Sequence, residues 1–167
     1  MNLLNQIDVL DIVAIAKKAG RFIMEIYSQD FEVNYKSDNS PLTLADIEAN
    51  KVIHQELTSL SVKFPILSEE GIETPFEERK GWDFFWLVDP LDGTKEFMKK
   101  NGEFTVNIAL ICKDNPILGV VYAPALNICY WAAKGQGAFK DGARLLARKT
   151  SQKNSYKIMS SRSHQCQ

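Results

Sequence analysis

The stretch that most constrains this chain runs from Phe84 to Phe97: Phe-Phe-Trp-Leu-Val-Asp-Pro-Leu-Asp-Gly-Thr-Lys-Glu-Phe. Its first five residues form a short apolar run that reads as a buried strand. Proline disfavours the helical region for the residue before it, so the strand is expected to stop at Asp89-Pro90. Asp89 and Asp92 then stand three residues apart around a tight turn. Gly93 can adopt backbone angles closed to other residues and lets a ligand approach the main chain. If a helical turn begins here, the N–H groups of Gly93, Thr94 and Lys95 lack intrahelical acceptors, and such ends hold anions. Cation ligands and a phosphate cradle would then lie side by side. Taken alone, an Asp-Pro-x-Asp-Gly run also reads as a plain turn.

Upstream, Ile12, Ile15, Ala16, Ala19, Phe22, Ile23 and Ile26 recur at helical spacing, with Asp11, Lys17, Lys18, Arg21 and Glu25 opposite. This predicts an amphipathic helix over 6–28, in which Gly20 marks close packing by a neighbour. Phe31 to Lys36 alternates as a short strand does, and Ser37 to Pro41 is a loop by composition. Thr43-Leu44-Ala45-Asp46 is a capping box with Asp in place of Glu. It opens a second helix over 44–60, with Leu44, Ile47, Val52, Ile53, Leu57 and Leu60 facing inward. A short strand, Ile66-Leu67, ends in Ser68-Glu69-Glu70-Gly71, and residues 72–82 read as a surface loop.

Downstream, Phe104–Cys112 and Ile117–Tyr122 are strand-like around a Lys113-Asp114-Asn115-Pro116 turn and predict a hairpin. Ile128–Ala133 and Gly137–Lys140 continue the pattern, Asp141-Gly142 is another turn, and Tyr156–Met159 resembles one more strand. Two N-terminal helices followed by adjacent strands predict an α+β fold, the helices packed on a mostly antiparallel sheet.

With 167 residues the chain suits one core. A net charge of −1 leaves no electrostatic footprint for nucleic acid. Cys112, Cys129 and Cys166 are odd in number and widely spaced, which argues for reduced thiols and a cytoplasmic setting. No stretch is long and apolar enough to span a bilayer, so no integral membrane contact is expected. The composition leaves open a peripheral association with the inner membrane surface.

The acids that end strands or open loops are Glu69, Asp89 and Asp92, with Asp46 at a helix start. Crowded carboxylates repel, and a divalent cation removes that cost. Magnesium suits hard oxygen ligands and retains waters for a substrate phosphate. Two such ions could polarise a phosphoryl group and activate a nucleophile.

Asp89-Pro90-Leu91-Asp92-Gly93-Thr94 with Glu69-Glu70 upstream resembles the inositol monophosphatase superfamily of lithium-sensitive, magnesium-dependent phosphatases. Lys36 to Asp46, Leu87 to Phe97, Asn101 to Ile111, Pro116 to Pro124 and Ser161-Arg162-Ser163-His164 narrow the likeness to the CysQ-type 3'(2'),5'-bisphosphate nucleotidases. The resemblance implies that Glu69 and Asp89, with the carbonyl of Leu91, bind one metal. Asp89 and Asp92 bind a second. Gly93 and Thr94 hold the substrate phosphate through main-chain N–H groups, so Glu69, Leu91, Asp92, Gly93 and Thr94 surround the substrate. The Thr94 hydroxyl, paired with Asp46, activates the attacking water. The implied reaction is hydrolysis of the 3'-phosphate of 3'-phosphoadenosine 5'-phosphate to AMP, in sulfate assimilation.

One departure stands out. The family carries a second, α/β domain with a Trp-Asp motif that completes the second metal site. Here the only such pair, Trp82-Asp83, lies upstream of the site. Residues 1–160 are therefore expected to form the metal- and phosphate-binding domain, and 161–167 the start of a missing one. Weak or absent turnover and self-association through the uncovered surface are expected with it. Hydrolysis of inositol or sugar phosphates and a non-catalytic metal- or phosphate-binding role are the alternatives.

Overall fold

The computed structural model describes residues 6–29, 33–35 and 41–147. The expected strand at 156–159, the Ser161–His164 stretch, Cys166 and the 160/161 boundary lie outside the described residues, as does most of the 36–41 loop. Helix α1 spans Val9–Tyr27 and is capped by Asp8, which accepts from the Leu10 N–H. It buries Ile12, Ile15, Ala16, Ala19 and Ile23, whereas Phe22, expected inside, lies at the edge of that stripe and is 39% exposed. Strands β1 (Val33–Tyr35) and β2 (Pro41–Thr43) form a small antiparallel ribbon. Helix α2 (Leu44–Ser59) starts on the expected capping box. Its buried stripe is Ala45, Asp46, Ala49, Ile53 and Leu57, successive turns of one face. Leu44 is one residue off that stripe and points to solvent, against expectation.

The main sheet has seven strands in chain order: β3 (Ile66–Ser68), β4 (Phe84–Asp92), β5 (Thr105–Cys112), β6 (Asn115–Ala123), β7 (Ile128–Ala133), β8 (Gly137–Lys140) and β9 (Ala143–Arg144). Only the β3–β4 pair is parallel. A short helix, α3 (Phe76–Arg79), interrupts the 72–82 segment expected to be loop, with Glu77 and Glu78 suitably placed in its first turn. Asp141 and Gly142 both take positive φ, the requirement of the two-residue turn that adds β9, which the sequence reading did not include.

α1 packs over β5–β7 and α2 over β4, covering one face of the sheet. Trp86, Val106, Ile108, Leu110, Leu118 and Val120 fill that interface. Gly20 lets the Tyr122 ring approach α1, since a Cβ there would lie 2.5 Å from Cε1. On the opposite face Leu87, Val121 and Tyr130 are exposed.

Strand β4 does not stop at Pro90. Asp89 pairs with Asn107 and Asp92 with Thr105, so β4 spends three steps where β5 spends two. This one-residue bulge absorbs the N–H that proline lacks. It also changes the facing of Asp92. Residues three apart on a regular strand point to opposite sides, but the extra residue returns Asp92 to the side of Asp89. Leu91 turns into the core and anchors the bulge.

After the bulge, Gly93 takes φ +97° and α4 (Thr94–Met98) begins, as expected. A Cβ on Gly93 would lie 2.9 Å from the Glu103 carbonyl oxygen, so only glycine fits. Phe97 holds α4 in place, its ring 5.1 Å from Tyr27 and 5.2 Å from Phe104.

Candidate active site

Two pairs of polar groups meet where β4 ends. In the first, Thr94 Oγ1 lies 3.1 Å from Asp46 Oδ1 and 3.3 Å from the Leu91 carbonyl oxygen. The other Asp46 oxygen, Oδ2, accepts from the Thr43 N–H at 2.7 Å and from the Thr43 hydroxyl at 2.6 Å. Asp46 therefore caps α2 and receives Thr94 at once, with Oδ2 committed to the cap and Oδ1 facing Thr94. It is 1% exposed, and burial pushes its carboxyl above the ordinary range despite the hydrogen bonds from Thr43 and Thr94.

In the second, Glu69 leaves the end of β3 beside Asp89, its N–H donating to the Val88 carbonyl at 3.1 Å. Because β3 and β4 run parallel, both carboxylates emerge at the same end of the sheet. Asp89 is pushed up to about 7 by burial, then by the charges of Glu69 and Asp92; the Leu91 N–H donates to it and opposes the shift, while a hydrogen bond shared with Glu69 adds to it. Glu69 and Asp92 each act on Asp89, Leu91, Gly93 and Thr94 form the adjoining turn, and Asp46 reaches Thr94 from α2. A cleft of about 500 Å³ opens here, with Ser68, Glu69, Asp89 and Asn107 at one end and Leu87, Ala109, Gly119 and Val121 along it.

Among the described residues no three His, Cys, Asp or Glu side chains form a group ready to hold a metal ion. The acids interact instead as the pairs Glu69–Asp89 and Asp89–Asp92. Their chemistry still fits a hard divalent cation. The donors are all oxygens, which suits such an ion, and the Asp89 carboxyl is held above its ordinary range by burial and by the charges of Glu69 and Asp92.

Two residues absent from the sequence reading belong to this site. Asn50 on α2 accepts from Ser68 Oγ at 2.7 Å and donates to the Glu70 carbonyl at 3.0 Å, so it grips both neighbours of Glu69. Asn50 lies one helical turn beyond Asp46 and thereby ties the two pairs to one helix. Asn107 on β5 donates from Nδ2 to Asp92 Oδ2 at 3.2 Å. No spacing rule flags either residue; both read as polar positions on half-exposed elements.

The CysQ 3'(2'),5'-bisphosphate nucleotidase of Escherichia coli strain K12 is 53% identical over 127 residues, which cover 75% of this chain and 51% of that protein. That of Haemophilus influenzae is 40% identical over 139 residues, 83% of this chain and 50% of the relative. The chain thus spans about half the length of the curated relatives it matches. Among solved structures, CysQ from Bacteroides thetaiotaomicron, described as a bacterial member of the inositol monophosphatase family, superposes with a TM-score of 0.72 at 43% identity, covering 90% of this chain and 54% of that one. Extragenic suppressor protein suhB from Bartonella henselae gives 0.71 at 34% identity, over 80% of this chain and 52% of that one. No helix among the described residues is long and apolar enough to cross a membrane. The inositol monophosphatase family model matches residues 4–167, so the bulged strand, the glycine turn and the acids around them belong to a member of the inositol monophosphatase family.

Proposed function

We propose that this chain carries the metal- and phosphate-binding half of a magnesium-dependent phosphatase that removes the 3'-phosphate of 3'-phosphoadenosine 5'-phosphate, giving AMP and phosphate. What supports the reading is the Asp46–Thr94 hydrogen bond on the turn that follows the strand carrying Asp89 and Asp92, with Glu69 acting on Asp89 at the same strand end. The nucleotide is inferred from the likeness to the CysQ proteins. The domain reading, 1–160 with 161–167 leading onward, belongs to the same proposal.

Glu69 and Asp89 with the Leu91 carbonyl would hold one Mg2+, and Asp89 with Asp92 a second. When bound, these ions neutralise charge on the phosphoryl oxygens and on the leaving oxygen. The chain's own contribution is proton handling and orientation. A water placed against Thr94 Oγ1 passes its proton to that oxygen as it attacks phosphorus, while the Thr94 proton moves to Asp46 Oδ1. The raised Asp46 carboxyl is a better acceptor than an exposed aspartate. The P–O3' bond breaks, and the ribose oxygen leaves with a proton from solvent. Helix geometry leaves the first N–H groups of α4 without intrahelical acceptors, and they face the phosphate in this reading.

The test is phosphate release from 3'-phosphoadenosine 5'-phosphate with Mg2+, alongside calorimetric titration of Mg2+ with and without phosphate. Mg2+ binding that strengthens with phosphate, with turnover well below that of a full-length CysQ protein, is the expected result. No Mg2+ binding at millimolar concentration would refute the proposal.

A further inference from the structure

Asn107 occupies a place that the assigned residues do not explain. It lies on β5 directly across from Asp89 and beside Asp92, which the bulge has turned to the same side. Residues directly opposite on paired strands have side chains close enough to interact. Its Nδ2 is 3.2 Å from Asp92 Oδ2. An ionised carboxylate only accepts hydrogen bonds, so the amide must present its nitrogen there and its oxygen elsewhere. That oxygen, Oδ1, is buried and has no hydrogen-bond partner among the described residues. Asparagine is depleted from strand interiors, and a buried acceptor without a donor is unfavourable. Such an orphan beside a carboxylate cluster marks a place for an ordered water or ion.

We infer that Asn107 is the positioning residue of the Asp92 carboxylate: it pins Asp92 Oδ2 so that Oδ1 faces the bound cation, and its own buried oxygen accepts from a water in that cation's shell. The inference rests on the reading above that Asp92 is a cation ligand. It assigns the role to the side-chain amide itself, so a residue of equal size without donor or acceptor cannot replace it. Partners of metal ligands typically control affinity by 10–100-fold.

The experiment compares the wild-type chain with Asn107→Leu and Asn107→Ala, titrating Mn2+ as a Mg2+ surrogate and counting free Mn2+ by electron paramagnetic resonance. Circular dichroism melting accompanies each titration. Both variants are expected to bind Mn2+ about 10–100-fold more weakly, the Leu variant with its melting curve preserved. In the wild-type protein, the Asn107 side-chain NH2 resonances should shift when Mg2+ is added. This second readout does not depend on any variant folding. Wild-type affinity in a folded Leu variant, or unmoved Asn107 NH2 signals while the Asp89 and Asp92 backbone amides shift, overturns the inference and leaves the cation site standing. A wild-type chain that binds neither Mn2+ nor Mg2+ overturns both.

Discussion

Burial, and then the charges of Glu69 and Asp92, push the Asp89 carboxyl up to about 7, well above the ordinary 3.8. A residue kept under such repulsion costs stability when no cation is present. Asp89→Asn removes the buried ionisable group while keeping the shape, so above about pH 7, where Asp89 ionises, the metal-free variant should be more stable by ~0.5–2 kcal/mol, the range common for relief of such local conflicts. It should also lose Mg2+ binding and turnover; a metal-free variant that melts lower in a parallel calorimetric scan counts against the repulsion. Elsewhere, burial raises the thiol of Cys129 and the phenol of Tyr122 above their usual 9.0 and 10.0. Raised acids bind more protons folded than unfolded, so their contribution is complete below the unfolded pKa and lost as pH climbs through the folded one. The melting temperature should therefore fall as pH rises above about 9, and less steeply in Cys129→Ala. A pH series from 8 to 11 (roughly the span over which these groups titrate) would show the difference or its absence. At this scale the acids stood out as candidates only through the long family resemblance, since Asp-Pro-x-Asp-Gly alone also reads as a plain turn. Asn50 and Asn107 did not, because their meaning lies in cross-element neighbours that no single stretch of chain reveals.

Between elements, the α1–β6 contact shows which of two effects dominates. Replacing Gly20 by alanine would favour the helix by up to ~1 kcal/mol. The new Cβ would sit 2.5 Å from Tyr122 Cε1, and that ring is held by its hydroxyl, which donates to Asn127 Oδ1 at 3.0 Å. Overpacking of this kind costs about 1–3 kcal/mol, so a net loss is expected in urea unfolding. The α2–β3 contact should behave differently. Asn50→Ala removes two hydrogen bonds, to Ser68 and the Glu70 carbonyl, and should cost ~1–2 kcal/mol. It should also weaken Mg2+ binding through looser placement of Glu69, whereas Gly20→Ala should leave affinity in the folded protein unchanged. Equal Mg2+ affinity in the two variants would remove Asn50 from the site. The elements were largely readable from hydrophobic period, including both long helices and the β5–β6 hairpin. The bulge was not. Proline reads as a terminator in isolation, and only the register against β5 shows that the strand continues and brings Asp92 round to Asp89.

At the scale of the whole molecule, the helices among the described residues cover one face of the sheet. Leu87, Val121 and Tyr130 are 44%, 43% and 41% exposed on the other, and Leu87 and Val121 line the cleft that leads from Asp89. Contiguous apolar surface of this kind marks an interaction face in a soluble protein. We therefore expect the chain to self-associate through this face. Sedimentation velocity should show the mean species growing with concentration. The double substitution Leu87→Lys, Val121→Lys places like charges on β4 and β6, either side of β5, at exposed positions whose side chains the helix-covered core does not use. It should return the protein to a monomer with its circular dichroism spectrum intact. A wild-type chain that sediments as one monomer across the micromolar range would mean that the exposed face is tolerated as it stands. Retention of Mg2+ binding in the monomeric variant would separate the two roles of the sheet, placing the carboxylates at one end and offering an apolar wall along its length.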